Sequence, residues 1–212
     1  MNTHPVRQQI VQLCLDLAAR GYFAATGGNI ALRIDADRFA VTPSATDYYS
    51  MQPEDVSVLR LKDLQQLEGN RPPSVETSLH ARLLRARPDC HCSIHTHQPV
   101  ASACTLLNGT LKVEDPSRRS MLGSHIPVVG YAPSGTGWLA SKLARAIRPD
   151  INAYLLRNHG AVCCGPDAPT TVQRLVALET ESSEYLRNCV QARAAATPSL
   201  RPFLQRLLDS FA

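Results

Sequence analysis

The 212-residue chain is poor in several things, and each shortage excludes a class of protein. No apolar run approaches the roughly 18 to 20 residues of a membrane-spanning helix, so a bilayer partner is not expected. Basic residues are scattered rather than clustered and the net charge is only +4, which argues against nucleic-acid binding. The opening residues Met1-Asn2-Thr3-His4-Pro5-Val6-Arg7 are too polar for a secretory signal, and a cytoplasmic location is expected. Low-complexity tracts, internal repeats and an interdomain linker are missing too, so residues 1–212 read as one domain with a short amphipathic tail over 198–212. The seven cysteines are an odd number and lie mostly in apolar strand-like runs such as Cys90-His91-Cys92 and Cys163-Cys164, as buried reduced thiols do.

What is present reads as an α/β domain with a mostly antiparallel sheet. Ile10, Leu13, Cys14 and Leu17 form one stripe of a helix over residues 6–20, ended by Gly21. Strands over 30–34 and 38–42 flank Asp35-Ala36-Asp37 as a hairpin, and 56–61 is a third strand. A helix begins near Ser74 as N-cap and ends before Pro88. Residues 93–97 are a strand, 99–107 a helix, and 109–137 irregular apart from a short strand near 126–129. Further on, 138–147 is a helix, 153–157 a strand and 169–195 a long helix.

The chemistry sits in three histidines. In the strand Ser93-Ile94-His95-Thr96-His97 side chains two apart share a face, so His95 and His97 can reach one point. His159 follows in Asn158-His159-Gly160. Three imidazoles with a fourth position open is the donor set of a catalytic zinc ion. Glu76 and His80 stand four apart on a helix face, with Ser74 at that helix's N-terminus, where anions are favoured. His80 alone reads as a hydrogen-bonded core histidine. Thr26-Gly27-Gly28-Asn29 and Thr42-Pro43-Ser44-Ala45-Thr46 are polar turns able to bring backbone and hydroxyl donors to a ligand, and Tyr48-Tyr49 reads as an interface or lid element.

These segments, taken in order with Pro73-Ser74-Val75-Glu76, resemble the class II aldolase/adducin family over residues 6–190. The resemblance implies a three-layer α/β/α fold around a nine-stranded, mostly antiparallel sheet. It implies Zn2+ on His95, His97 and His159, Glu76 as acid/base, and phosphate bound by Thr26, Gly28, Asn29, Ser44, Ala45, Ser74 and Val75. It further implies a homotetramer acting on a small sugar phosphate or sugar acid. The implied reaction is retro-aldol cleavage of a ketose phosphate, of fuculose-phosphate aldolase type, through a metal-stabilised enediolate. Two features depart from that pattern. Ala45 and Val75 stand where glycine and serine are usual, and no tyrosine occurs over 111–116 or after Tyr185. Tyr131, Glu114 and Asp115 are candidates to replace the tyrosines' proton transfer. Dehydration of a methylthioribulose-1-phosphate type substrate, with Glu114 as the further acid, and sugar-acid decarboxylation are the alternatives. A non-catalytic, adducin-like binding module would be expected to have lost the metal ligands.

Overall fold

A computed structural model describes residues 2–23, 27–107 and 109–209. Thr26, named above, and residues 210–212 of the tail lie outside the described residues. Helix α1 (His4–Ala19) buries Ile10, Cys14 and Leu17, the apolar stripe of the sequence. It closes as the glycine foretold: Gly21 is left-handed at φ +71°, its N–H reaches the Ala18 carbonyl, and Tyr22 N–H reaches that of Leu17. Strands β1 (Asn29–Arg33), β2 (Arg38–Val41), β3 (Ser57–Arg60) and β4 (Gln66–Glu68) follow, then α2 (Thr77–Ala86), β5 (Cys92–Thr96) and α3 (Pro99–Cys104). After these come β6 (Leu111–Lys112), α4 (Pro116–Leu122), β7 (His125–Ile126), β8 (Val128–Val129) and α5 (Gly137–Ala146). The chain ends with β9 (Ala153–Leu156), β10 (Gly160–Gly165), α6 (Ala168–Ala196) and α7 (Arg201–Asp209).

Eight strands form one sheet in the order β4-β3-β2-β1-β5-β10-β9-β8, all antiparallel except the β8–β9 edge. Among the described residues this is one strand short of the nine implied by the family resemblance; β6 and β7 pair separately with each other. Alternation along the strands supplies two faces. Ile30, Leu32, Cys92, Ile94, Ala161 and Cys163 pack with residues of α1, α3, α4 and α6. Val162, Cys164, Tyr154 and Leu156 pack with α2 and α5, and Ala31, Phe39 and Val41 with α2's Ala81 and Leu84. Helices therefore cover both faces, and the three-layer α/β/α reading holds.

Several local expectations change. Residues 109–137 are not irregular: Asp115 caps α4, its carboxylate accepting the Arg118 N–H at 2.8 Å. Ser74 does not cap α2; Glu76 occupies that position, and the Ser74 hydroxyl accepts the Glu76 N–H at 3.2 Å in the preceding turn. Tyr48 is not a lid residue, because its ring is buried and its hydroxyl donates to the Gly28 carbonyl at 2.6 Å, whereas Tyr49 is exposed. All seven cysteines are free thiols, and six of them are buried. No helix among the described residues is long and apolar enough to cross a membrane.

Candidate active site at the end of three central strands

The central strands β1, β5 and β10 lie side by side, and the site gathers at one end of them. Asn29, first in β1, pairs across to His95, which also pairs with Val162 of β10. His95 and Ser93 share the sheet face that α2 covers, the fully buried Ser93 hydroxyl lying 2.8 Å from His80 of α2. His97 lies one residue beyond β5, its N–H bonded to the Tyr22 carbonyl, yet its Nε2 stands 3.0 Å from His95 Nε2.

The Asn158-His159-Gly160 segment has a physical reason at each position. Asn158 takes φ +54° in the β9–β10 turn, a region asparagine tolerates better than most side chains. Gly160 is obligatory for space: a Cβ there would stand 2.3 Å from the Thr96 carbonyl oxygen and 2.7 Å from His97 Cδ2. His159, between them, is turned toward the other two imidazoles, with ring centroids 4.7 Å from His95 and 5.1 Å from His97. Gly160→Ala should therefore weaken divalent-metal affinity at least tenfold and destabilise the fold by about 1–3 kcal/mol, the usual cost of overpacking. Metal titration and thermal melting check this; wild-type metal affinity in the variant would show that the close packing is irrelevant.

The three histidines offer ligand nitrogens all within 4.8 Å of one another. His95 Nδ1 lies 2.9 Å from the Ala161 carbonyl, which can only accept, so the proton is on Nδ1 and the Nε2 lone pair faces His97. Burial pushes the pKa of His95 down to about 3, and burial with the neighbouring His159 lowers that of His97. Neutral imidazoles aimed at a common point fit a divalent cation; nothing in the donor set opposes one.

Glu76 closes the cluster. Its Oε2 lies 3.2 Å from His95 Nε2 and accepts from Asn29 Nδ2 at 2.9 Å; its Oε1 lies 3.4 Å from His159 Nε2 and accepts from Ser134 Oγ at 2.8 Å. Burial works to raise the carboxyl's pKa, but the imidazoles and these two donors outweigh it and hold the group well below the usual carboxylate range. With His95 itself neutral near pH 7, the Asn29 amide and the Ser134 hydroxyl are the support that persists. Ser134 was not singled out in the sequence. It sits in the loop before α5, 58 positions from Glu76, and no local pattern marks it.

His80 is the core histidine expected, fully buried, with Nδ1 2.8 Å from Ser93 Oγ and Nε2 2.6 Å from Asn29 Oδ1. Burial lowers its pKa from 6.5 to about 4. A proton therefore binds the unfolded chain first as pH falls. Stability is whole above pH 6.5 and is lost as pH drops to about 4, by on the order of 3 kcal/mol from this group. In metal-free protein, urea unfolding of His80→Gln should show a correspondingly shallower loss over that window; parallel profiles for variant and wild type would count against it.

The other predicted ligand-binding residues line a cavity of about 330 Å³ with the site at its floor: Gly28, Asn29, Ser44, Ala45, Ser74 and Val75, beside Glu76, His97, His159 and Ser134. The two hydroxyl turns are held together, Ser74 N–H on the Thr42 carbonyl and Ser44 N–H on that of Pro72. Ala45, at φ +46°, carries the left-handed conformation for which glycine is better suited. Val75 is 64% exposed at the rim, against Gly135. The candidate proton donors are not in the cavity lining. Glu114 is exposed and paired with Lys112 and Arg119, Asp115 is spent on capping α4, and Tyr131 is half exposed on the surface.

The chain is 28% identical over 191 residues to an L-fuculose phosphate aldolase of Haemophilus influenzae, spanning 88% of this chain and 85% of that one. It is 32% identical over 157 residues to a 5-deoxy-D-ribulose 1-phosphate aldolase of Bacillus thuringiensis, spanning 74% and 72%. A 3-oxo-tetronate 4-phosphate decarboxylase of Escherichia coli is 27% identical over 179 residues, 82% of each chain. Among solved structures, an L-fuculose 1-phosphate aldolase superposes over all of this chain and 98% of its own with a TM-score of 0.81, a likeness of fold at 23% identity. Residues 8–186 match the Class II Aldolase and Adducin N-terminal domain, and the chain belongs to that family.

Proposed function

We propose that this chain is a zinc-dependent lyase that cleaves a carbon–carbon bond in a small ketose phosphate, by retro-aldol chemistry. The observation that carries the reading is a buried carboxylate, Glu76, held against two of three converging imidazoles at the floor of a hydroxyl-lined cavity. His95, His97 and His159 would hold the cation. When bound, it supplies a Lewis acid that spreads the negative charge of an enediolate. Glu76 exchanges a proton with the enediolate carbon, removing it in the condensation direction and returning it on cleavage. Its aim is set by Asn29 and Ser134, so little reorganisation accompanies the transfer.

Ser44, Ser74 and the backbone around Gly28 and Ala45 supply neutral donors for an anionic end of the substrate, with Thr26 assigned to the same group by the family pattern. Among the described residues the cavity lining contains no Lys or Arg, so recognition of a phosphate or carboxylate rests on hydrogen bonds and on the nearby cation. Residues 1–212 act as a single catalytic domain in this reading, assembled as a homotetramer in the cytoplasm.

Incubating the zinc-loaded protein with a panel of ketose 1-phosphates and coupling to glycerol-3-phosphate dehydrogenase should register released dihydroxyacetone phosphate. Turnover of no panel member would overturn the aldolase assignment. Decarboxylation of a phosphorylated 3-oxo acid is the second reading, favoured by the Escherichia coli relative; there carbon dioxide leaves and the same enediolate-type charge develops. The dehydratase alternative would use Glu114, which in the single chain lies outside the cavity lining and is paired with Lys112 and Arg119.

A further inference from the structure

Behind Glu76 runs a chain of buried polar side chains that ends on no ligand and reaches no solvent. Ser93 Oγ lies 2.8 Å from His80 Nδ1, His80 Nε2 lies 2.6 Å from Asn29 Oδ1, and Asn29 Nδ2 lies 2.9 Å from Glu76 Oε2. Ser93 and His80 are wholly inaccessible, and Asn29 and Glu76 nearly so. The residues come from four places in the sequence, β5, α2, β1 and the turn before α2, so the chain exists only in the folded protein.

Its direction follows from one end. An ionised carboxylate only accepts, so Asn29 must turn its NH2 toward Glu76 and its carbonyl toward His80. His80 must then carry its proton on Nε2, since a carbonyl only accepts. With the imidazole neutral, Nδ1 is left as an acceptor and takes the Ser93 hydroxyl proton. Each bond dictates the next.

We propose that Ser93 and His80 are positioning residues that set the Asn29 amide, and through it aim the Glu76 carboxylate at the reacting carbon. The proposal rests on the reading of Glu76 as the proton-transfer group. Asn29 thereby gains a role beyond the anion contact assigned to it: one of its two amide hydrogens is committed to Glu76, and its oxygen to His80. Without His80's proton the Asn29 carbonyl loses that donor, and only the carboxylate itself is left to hold the amide in this orientation.

The first test does not use activity. Long-range proton–nitrogen correlation spectra of histidine-labelled protein should show His80 as the Nε2–H tautomer; the Nδ1–H tautomer would overturn the proposal. The second follows exchange of a C3 proton of dihydroxyacetone phosphate for deuterium in heavy water, which needs no aldehyde partner. His80→Leu should lower kcat for exchange about 10- to 100-fold, with KM within about threefold and one equivalent of zinc retained. His80→Gln, whose amide can present an N–H near the Nε2 position, should recover to within about fivefold of wild type.

An unchanged kcat in His80→Leu, or equal impairment of both variants, would overturn the positioning role. Should His80→Leu fail to fold, Ser93→Ala serves in its place, with the same fall expected and a wild-type kcat counting against the proposal. Glu76→Gln separates the two ideas. If it abolishes exchange while His80→Leu does not, only this proposal fails; if it exchanges at the wild-type rate, the reading of Glu76 fails.

Discussion

Replacing His95 with alanine should abolish stoichiometric divalent-metal binding and turnover together, lowering metal affinity by more than about 100-fold. His95 is the best-fixed of the three imidazoles: it is fully buried, and its Nδ1 proton is committed to the Ala161 carbonyl, leaving Nε2 to face the cluster. Losing the hydrogen-bond partner of a metal-bound histidine already costs about 10- to 100-fold in affinity, and losing the ligand itself costs more. The substitution also removes the ring's contact with the Ala161 carbonyl, so His97→Ala, at a half-buried position, should be measured beside it. Elemental analysis after gel filtration is the readout, with circular dichroism to confirm folding. A folded variant of either kind that holds one metal per chain would remove the three-histidine centre from the account.

Glu76→Gln should do the opposite to metal binding and nearly the same to rate: zinc is retained, and kcat falls about 10²- to 10⁴-fold, the usual worth of a general acid–base group. The environment accepts glutamine. Its carbonyl oxygen can take the Asn29 N–H, and its NH2 can donate to Ser134, whose hydroxyl turns from donor to acceptor. A fall in rate therefore reports the lost proton transfer rather than a disrupted pocket. Steady-state kinetics of the zinc-loaded variant, on whichever substrate the panel identifies, decide the matter; a rate within tenfold of wild type would assign the chemistry to another group.

The two predictions separate the parts of the site that differ in how readily they could be read. The His-x-His strand was legible because a period of two puts both imidazoles on one face, a local rule that held even though β5 ends at Thr96. Helix α1 was legible from its apolar stripe and the glycine that ends it, and the β1–β2 hairpin from two apolar runs on either side of an aspartate turn, although neither strand alternates in burial. Strand β10 was harder: every residue from Gly160 to Gly165 is buried, so no alternation marks it. Strands β4 and β6 have three and two residues, too few to show a period, and the seven residues of α4 are little better; β7 and β8 correspond to the one short strand expected near 126–129.

From its residues alone the chain showed its imidazoles, because a shared strand face depends on spacing within a few positions; Glu76 and the hydroxyl turns were only candidates there and took their roles from the resemblance to the family. Folding decided which of them meet. Asn29 and Glu76 are 47 positions apart, Ser134 and Glu76 are 58, and His95 and the Ala161 carbonyl are 66. Each contact is made by the side-by-side order of β1, β5 and β10 and by the helix and loop packed over them. Only that packing excludes water from the carboxylate and gives its two oxygens one donor apiece.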